Sequence, residues 1–267
     1  MTGDLARLPA QAAAVCTTWL GCLDATVPGL VSGLYLRGGL ALGEWLPGQS
    51  DVDFVATLVR RPDRVDLALL RSAHEAVLAA HPMIPFDGPH LLASDLGNDP
   101  EVCPDVPCTL GGTFYPEGRQ GVDLVTWHEL ASGGVTVRGP AIDGLGVWTS
   151  PERLTAFTSG NLDTYWRSTA EALAAMPSEG EAEEACCWCV LGVARLDHLL
   201  VTGEMTTKSR AGRWGLTHYP ARFHRVLREA LRIREGGADQ YPGEAKSRAR
   251  DTADFTAYVV AGGTEPS

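Results

Sequence analysis

A chain of 267 residues, 45% apolar and 21% charged, has an ordinary globular composition and enough length for one large domain or two modest ones. Its 33 acidic against 22 basic residues leave a net charge of −11 and a sequence pI near 5.1. That balance argues against a surface that grips nucleic-acid phosphates or anionic lipid, and for one that welcomes a cationic small molecule. No apolar run is expected to cross a bilayer, and MTGDLARLPA has neither a basic start nor an apolar signal core, so a cytoplasmic location without a membrane partner is expected. Seven cysteines are an odd count without zinc-finger spacing, so reduced thiols acting as small apolar residues are expected.

Up to about residue 148, the short runs VSGLYLR, VDFVATLV, PHLLA, GVDLVTW and GVTVRG alternate with a helical stretch and Gly/Pro loops. This texture predicts a mixed sheet domain over residues 1–148. From 149 to 267 strand signals nearly vanish. Ser150-Pro151 starts a helix with Leu154, Phe157, Leu162, Tyr165 and Trp166 at roughly helical spacing. Ser178 with Glu181 forms a capping-box pattern before a helix that runs to about Val201 and closes at Gly203. Pro220 opens a third helix in which Phe223, Val226, Leu227, Ala230 and Leu231 share a face, and Gly236-Gly237 ends it. A helical bundle is the expected second domain, 149–267.

The segment LYLRGGLALGEWLPGQSDVDFVATL, Leu34 to Leu58, carries the chemistry. A strand turns at Gly38-Gly39, and a loop returns as a second strand with Asp51 and Asp53. Strand side chains alternate, so the two carboxylates share a side while Val52 and Phe54 enter the core. Paired carboxylates repel unless a cation sits between them, which suits a Mg²⁺ platform. Bare backbone at Gly38 and Gly39 lets main-chain N–H groups approach phosphate oxygens. Taken alone, an Asp-Val-Asp beside a turn is more often a solvated strand end; the glycine turn a short loop upstream is what changes the odds.

The compound pattern resembles the nucleotidyltransferase signature of the polymerase beta superfamily, and ALGEWLPGQSDVDFV most resembles the streptomycin/spectinomycin-type aminoglycoside adenylyltransferases. Arg195-Leu196-Asp197-His198, Val201-Thr202-Gly203 and Lys208 are similar in spacing to a helix of that family's C-terminal domain. The resemblance covers roughly residues 30 to 235. It implies an α+β protein, a polymerase-beta-like nucleotidyltransferase mixed sheet with helices followed by a C-terminal helical bundle.

The implied reaction is Mg²⁺-dependent transfer of AMP from ATP to a hydroxyl of an aminoglycoside or similar polar, cationic small molecule, with pyrophosphate released. The resemblance assigns metal binding to Asp51 and Asp53, a third carboxylate, ligand and base, to Asp87 in FDGPHLLA, and leaves Asp123 in GVDLVTW as reserve. It assigns the nucleotide to Gly38, Gly39, Ser50, Arg195 and Lys208, and the acceptor to Glu181, Glu184 and Trp188. As plain residues, the Glu run complements a helix dipole and Trp188 belongs to a core. The family's usual serine after the first glycine is Gly39 here, which removes one hydroxyl donor to phosphate. The alternatives are a weak or inactive nucleotide-binding module and a nucleotidyltransferase acting on protein or RNA. The acidic charge disfavours RNA, and retained self-repelling carboxylates favour the enzyme.

Overall fold

The computed structural model describes residues 5–263, and the chain divides into two compact units, Met1–Ser150 and Pro151–Ser267. The first unit is built on six strands: β1 Val31–Leu36, β2 Val52–Leu58, β3 Phe86–Leu92, β4 Val106–Leu110, β5 Thr113–Gly118 and β6 Val135–Arg138. Their order is β5-β4-β3-β2-β1-β6, with β2 and β3 parallel and every other pair antiparallel. Five helices accompany them: α1 Ala10–Thr26, α2 Gly38–Ala41, α3 Arg64–Ala80, α4 Ala93–Leu96 and α5 Leu124–Gly133.

The period-two alternation of β1 and β2 feeds two cores. Leu34, Leu36, Val52, Phe54 and Ala56 pack with Trp19 and Leu23 of α1 and Leu70 and Val77 of α3. Tyr35 and Val55, on the opposite face, pack with Leu91, Trp127 and Leu130. Asp53 therefore points to the side covered by α5, and its parallel register partner on β3 is Asp87.

Two departures from the sequence reading concern this unit. GVDLVTW, expected as a strand, opens α5: the Asp123 carboxylate accepts the Thr126 N–H at 2.8 Å as a helix N-cap. The buried residues Leu124, Trp127 and Leu130 lie three apart, a helical and not a strand period. Asp123 is thus a helix cap and not a carboxylate ahead of a core strand. Conversely, VPCTL and TFYPEG form a hairpin through Gly111-Gly112, both at positive φ (57° and 74°), the two-residue turn chemistry that glycine serves best. Pro116 fits because β5 is the sheet's edge.

The second unit contains no strand among the described residues. Its helices are α6 Pro151–Asn161, α7 Arg167–Ala175, α8 Glu183–Thr202, α9 Lys208–His218, α10 His224–Glu235 and α11 Ala245–Val260, with a π-helical turn at Leu162–Trp166 between α6 and α7. Leu162, Trp166, Val190, Leu191, Ala194, Leu227 and Phe255 form its core, whereas Phe157 and Tyr165 are exposed, contrary to the helical-face reading. The capping box at Ser178 is absent: Pro177–Glu181 is a 3₁₀ turn, and α8 starts at Glu183 behind Ala182, which makes no side-chain cap. Proline opening the turn and two glutamates in the first turn of α8 supply the start instead. Gly203 closes α8 in the left-handed region at φ 75°. By length and composition α8 could cross a membrane, which corrects the expectation from apolar runs; here it packs against α9, α10 and α11. Pro220 leads into a 3₁₀ turn, Ala221–Phe223, ahead of α10. All seven cysteines are free, and burial pushes the Cys16 and Cys186 thiols up to about 12.

Candidate active site

In the first unit, β1 ends at Leu36, the chain turns at Gly38, and the backbone N–H of Arg37 donates to the Asp53 carbonyl at 3.0 Å. Gly38 holds φ +66°, and a Cβ there would run into the Asp53 carboxylate. The turn thus needs glycine twice, for its backbone conformation and for its closeness to that side chain. Gly39 is not at positive φ; a Cβ on it would meet only the Glu44 carbonyl, at 3.1 Å. Ser50 ties the following loop, its Oγ accepting the Leu46 N–H at 2.9 Å. Asp51 lies just before β2 and is exposed, while the Asp53 side chain is 24% exposed.

Arg37 brings a buried cation to these acids. Its Nη1 donates to Glu129 Oε2 at 2.9 Å, and its Nη2 lies 3.4 Å from Asp53 Oδ1. Burial opposes its charge, but Asp53, Glu129 and Asp123 outweigh that and push the guanidinium's pKa up. Asp53 is pushed the other way from a usual carboxylate: burial raises its pKa, Arg37 opposes, and the charges of Asp51, Glu129 and Asp87 raise it further. Excess negative charge at a half-buried carboxylate is what an added cation would relieve.

Asp87 is buried and takes two hydrogen bonds from the β4–β5 turn, Gly111 N–H to Oδ2 at 2.7 Å and Gly112 N–H to Oδ1 at 3.0 Å. Beside it, Gly88 is required because a Cβ would strike the Phe54 carbonyl of β2. Among the described residues no three His, Cys, Asp or Glu side chains are arranged to hold a metal by themselves. Mg²⁺, however, is commonly held by one or two carboxylates together with substrate phosphates. Asp51 and Asp53 fit that donor set, the second with its charge under strain. Glu129 and Arg37 were missed as neighbours of the aspartates, because the strand reading of 121–127 put no helix above them.

In the second unit, Glu184, Trp188 and Arg195 recur along α8 at spacings of four and seven, one side of the helix. Trp188 is half-exposed rather than core, and the Lys208 Nζ at the start of α9 sits 4.6 Å from its ring centroid. Trp188 also leans on Trp166, ring centroids 6.0 Å apart. Glu184 is exposed and Arg195 half-buried. Glu181 lies elsewhere, lining a cavity of about 650 Å³ with Leu173, Lys246 and Arg250. The intervening Glu183 is engaged with Arg232, which donates to it at 2.7 Å and also binds the buried Glu229.

Residues 159–259 match the family described as aminoglycoside adenylyltransferase, C-terminal domain. No curated protein matches the chain in sequence. Among solved structures, the chain is similar to spectinomycin adenyltransferase AAD(9) from Enterococcus faecialis, crystallised with ATP and spectinomycin. The TM-score is 0.65 at 12% identity, over 91% of this chain and 98% of that one. The second half of the chain thus matches that C-terminal domain family over residues 159–259, and nearly the whole chain shares the fold of that adenyltransferase.

Proposed function

We propose that the protein transfers AMP from ATP to a hydroxyl of an aminoglycoside or a similar cationic small molecule. The observation that carries this reading is the half-buried Asp53 carboxylate packed against the Gly38 turn, with Asp87 as its cross-strand partner. The similar enzyme's crystals held ATP and spectinomycin, which supports the two substrate classes. In the reaction the acceptor oxygen attacks the α-phosphorus and the bond from that phosphorus to the bridging oxygen breaks. Pyrophosphate departs with the bond's electrons, and the hydroxyl proton passes to the Asp87 carboxylate.

Asp51 and Asp53 would hold Mg²⁺, which when bound neutralises the triphosphate and the leaving group. The bare backbone at Gly38 and Gly39 leaves room for phosphate oxygens, and Ser50 fixes the loop between the glycines and the aspartates. Arg195 and Lys208 are assigned to phosphate, and Glu184 with Trp188 to the cationic acceptor, while Glu181 lines a separate cavity.

The test is a panel of spectinomycin, streptomycin and other aminoglycosides with ATP and Mg²⁺, followed by pyrophosphate release and by mass spectrometry of the acceptor. A mass gain of one AMP on any of them, lost in Asp53→Asn, is the expected result. Pyrophosphate release with none of them overturns the reading.

A further inference from the structure

Arg37 does not treat its acidic neighbours alike. Glu129 receives a hydrogen bond from the guanidinium at 2.9 Å, whereas Asp53 receives only an ion pair at 3.4 Å. Glu129 can win this competition because it stands on a well-anchored helix. Asp123 caps α5, Trp127 and Leu130 are fully buried, and Trp127 Nε1 donates to the Asn98 carbonyl at 3.1 Å. The Glu129 side chain is itself 4% exposed, so water offers its carboxylate little alternative to Arg37. On the other flank Gly121, at φ +72°, packs on Pro89, whose Cδ a Cβ there would meet at 2.9 Å, and lies within ordinary contact of Arg37 Nη2.

We propose that Glu129 is a positioning residue that holds Arg37 back from Asp53 and so leaves the Asp53 carboxylate available to a divalent cation. The inference rests on the reading of Asp51 and Asp53 as a cation platform. An arginine and a carboxylate that meet without a competitor form a two-pronged, charge-assisted pair, and a cation must break it to enter. Neutralising Glu129 would release the guanidinium toward Asp53. Removing the guanidinium as well would reopen the site, and it replaces a buried charge pair by a neutral one.

The test uses Mn²⁺ as the probe, titrated into the full-length protein without nucleotide and followed by the electron paramagnetic resonance of free Mn²⁺. Asp53→Asn marks the site, and thermal melts check folding. Glu129→Gln is expected to weaken Mn²⁺ binding about ten- to hundredfold, the worth of one charge-assisted hydrogen bond. The double substitution Arg37→Gln with Glu129→Gln is expected to bring binding back toward the parent. A merely structural Glu129 would give no such rescue. Should Glu129→Gln fail to fold, Glu129→Asp keeps the charge but shortens the reach by one methylene, and is expected to weaken binding in the same direction. Parent-like binding by a folded Glu129 variant, or a double variant no better than Glu129→Gln, overturns the inference alone. A parent with no Mn²⁺ binding that Asp53→Asn removes overturns the cation platform, and the inference with it.

Discussion

Asp53 and Asp87 are register partners on adjacent parallel strands, yet their carboxylates meet opposite surroundings. Asp87 accepts two backbone N–H groups, while Asp53 faces Arg37 and the charges of Asp51, Glu129 and Asp87. Asp53 is thus the costly member of the pair in the absence of a cation. Asp53→Asn is expected to leave the melting temperature in metal-free buffer unchanged or raised, and to abolish Mg²⁺-dependent ATP binding in calorimetric titration. A large drop in melting temperature with nucleotide binding intact would make Asp53 a structural residue.

Asp87 carries two burdens, one toward the hairpin turn and one, as proposed, toward the acceptor proton. An asparagine there can accept one N–H but turns its amide hydrogens toward the other, so Asp87→Asn is expected to cost about 1–3 kcal/mol of stability. Denaturant melts measure that loss. Assayed well below the melting transition, the same variant is expected to lose AMP transfer far more than its folded fraction falls, with ATP binding largely kept.

The two glycines of the turn separate cleanly. Gly38→Ala must place a side chain at positive φ and against Asp53, a backbone cost of about 1–2 kcal/mol before the collision is counted, and it is expected to destabilise the protein and block nucleotide binding. Gly39 has ordinary φ and needs its neighbour Glu44 to give by a few tenths of an ångström. Gly39→Ser is therefore expected to fold and, by adding a hydroxyl donor to phosphate, to tighten ATP up to about tenfold. Titration with Mg²⁺ and a non-hydrolysable ATP analogue measures both.

Acid sensitivity is expected from the core of the first unit. His74 and His90 lie with their Nε2 atoms 3.0 Å apart, walled by the rings of Trp19, Phe54, Phe86 and Phe114. Burial holds His90 down to about 4, and burial with the neighbouring His90 holds His74 well below its usual value. Both folded pKa values lie below the unfolded one near 6.5, so the unfolded chain binds protons that the folded one refuses. Their contribution is complete above pH 6.5 and is lost as pH falls toward 4, by about tenfold in the folding equilibrium per pH unit for each histidine. Melting curves across that window measure the slope, and His90→Gln is expected to reduce it by one proton.

The glycine turn, the Asp-Val-Asp strand and the alternation that buries Val52 and Phe54 were legible in the sequence because each is a local pattern with period two or a tight turn. Asp123 misled because Val-Asp-Leu-Val fits a strand and a capped helix start equally well until Trp127 and Leu130 are counted. Arg37 and Glu129 stand 92 residues apart, and no local period joins them; only the packing of α5 on the sheet does. The plain-residue alternative that put Trp188 in a core fails for a similar reason. Its helix is apolar nearly all round, so spacing alone did not reveal which side faces outward.

The grip of Asp87 on the β4–β5 turn has a spectroscopic consequence. Gly111 is exposed, and amides at such hairpin tips ordinarily exchange rapidly with solvent. Here the Gly111 and Gly112 protons are tethered to a carboxylate at the heart of the site. Their two resonances are therefore expected to report a change of charge at Asp87, including any that the proposed binding of nucleotide and acceptor brings.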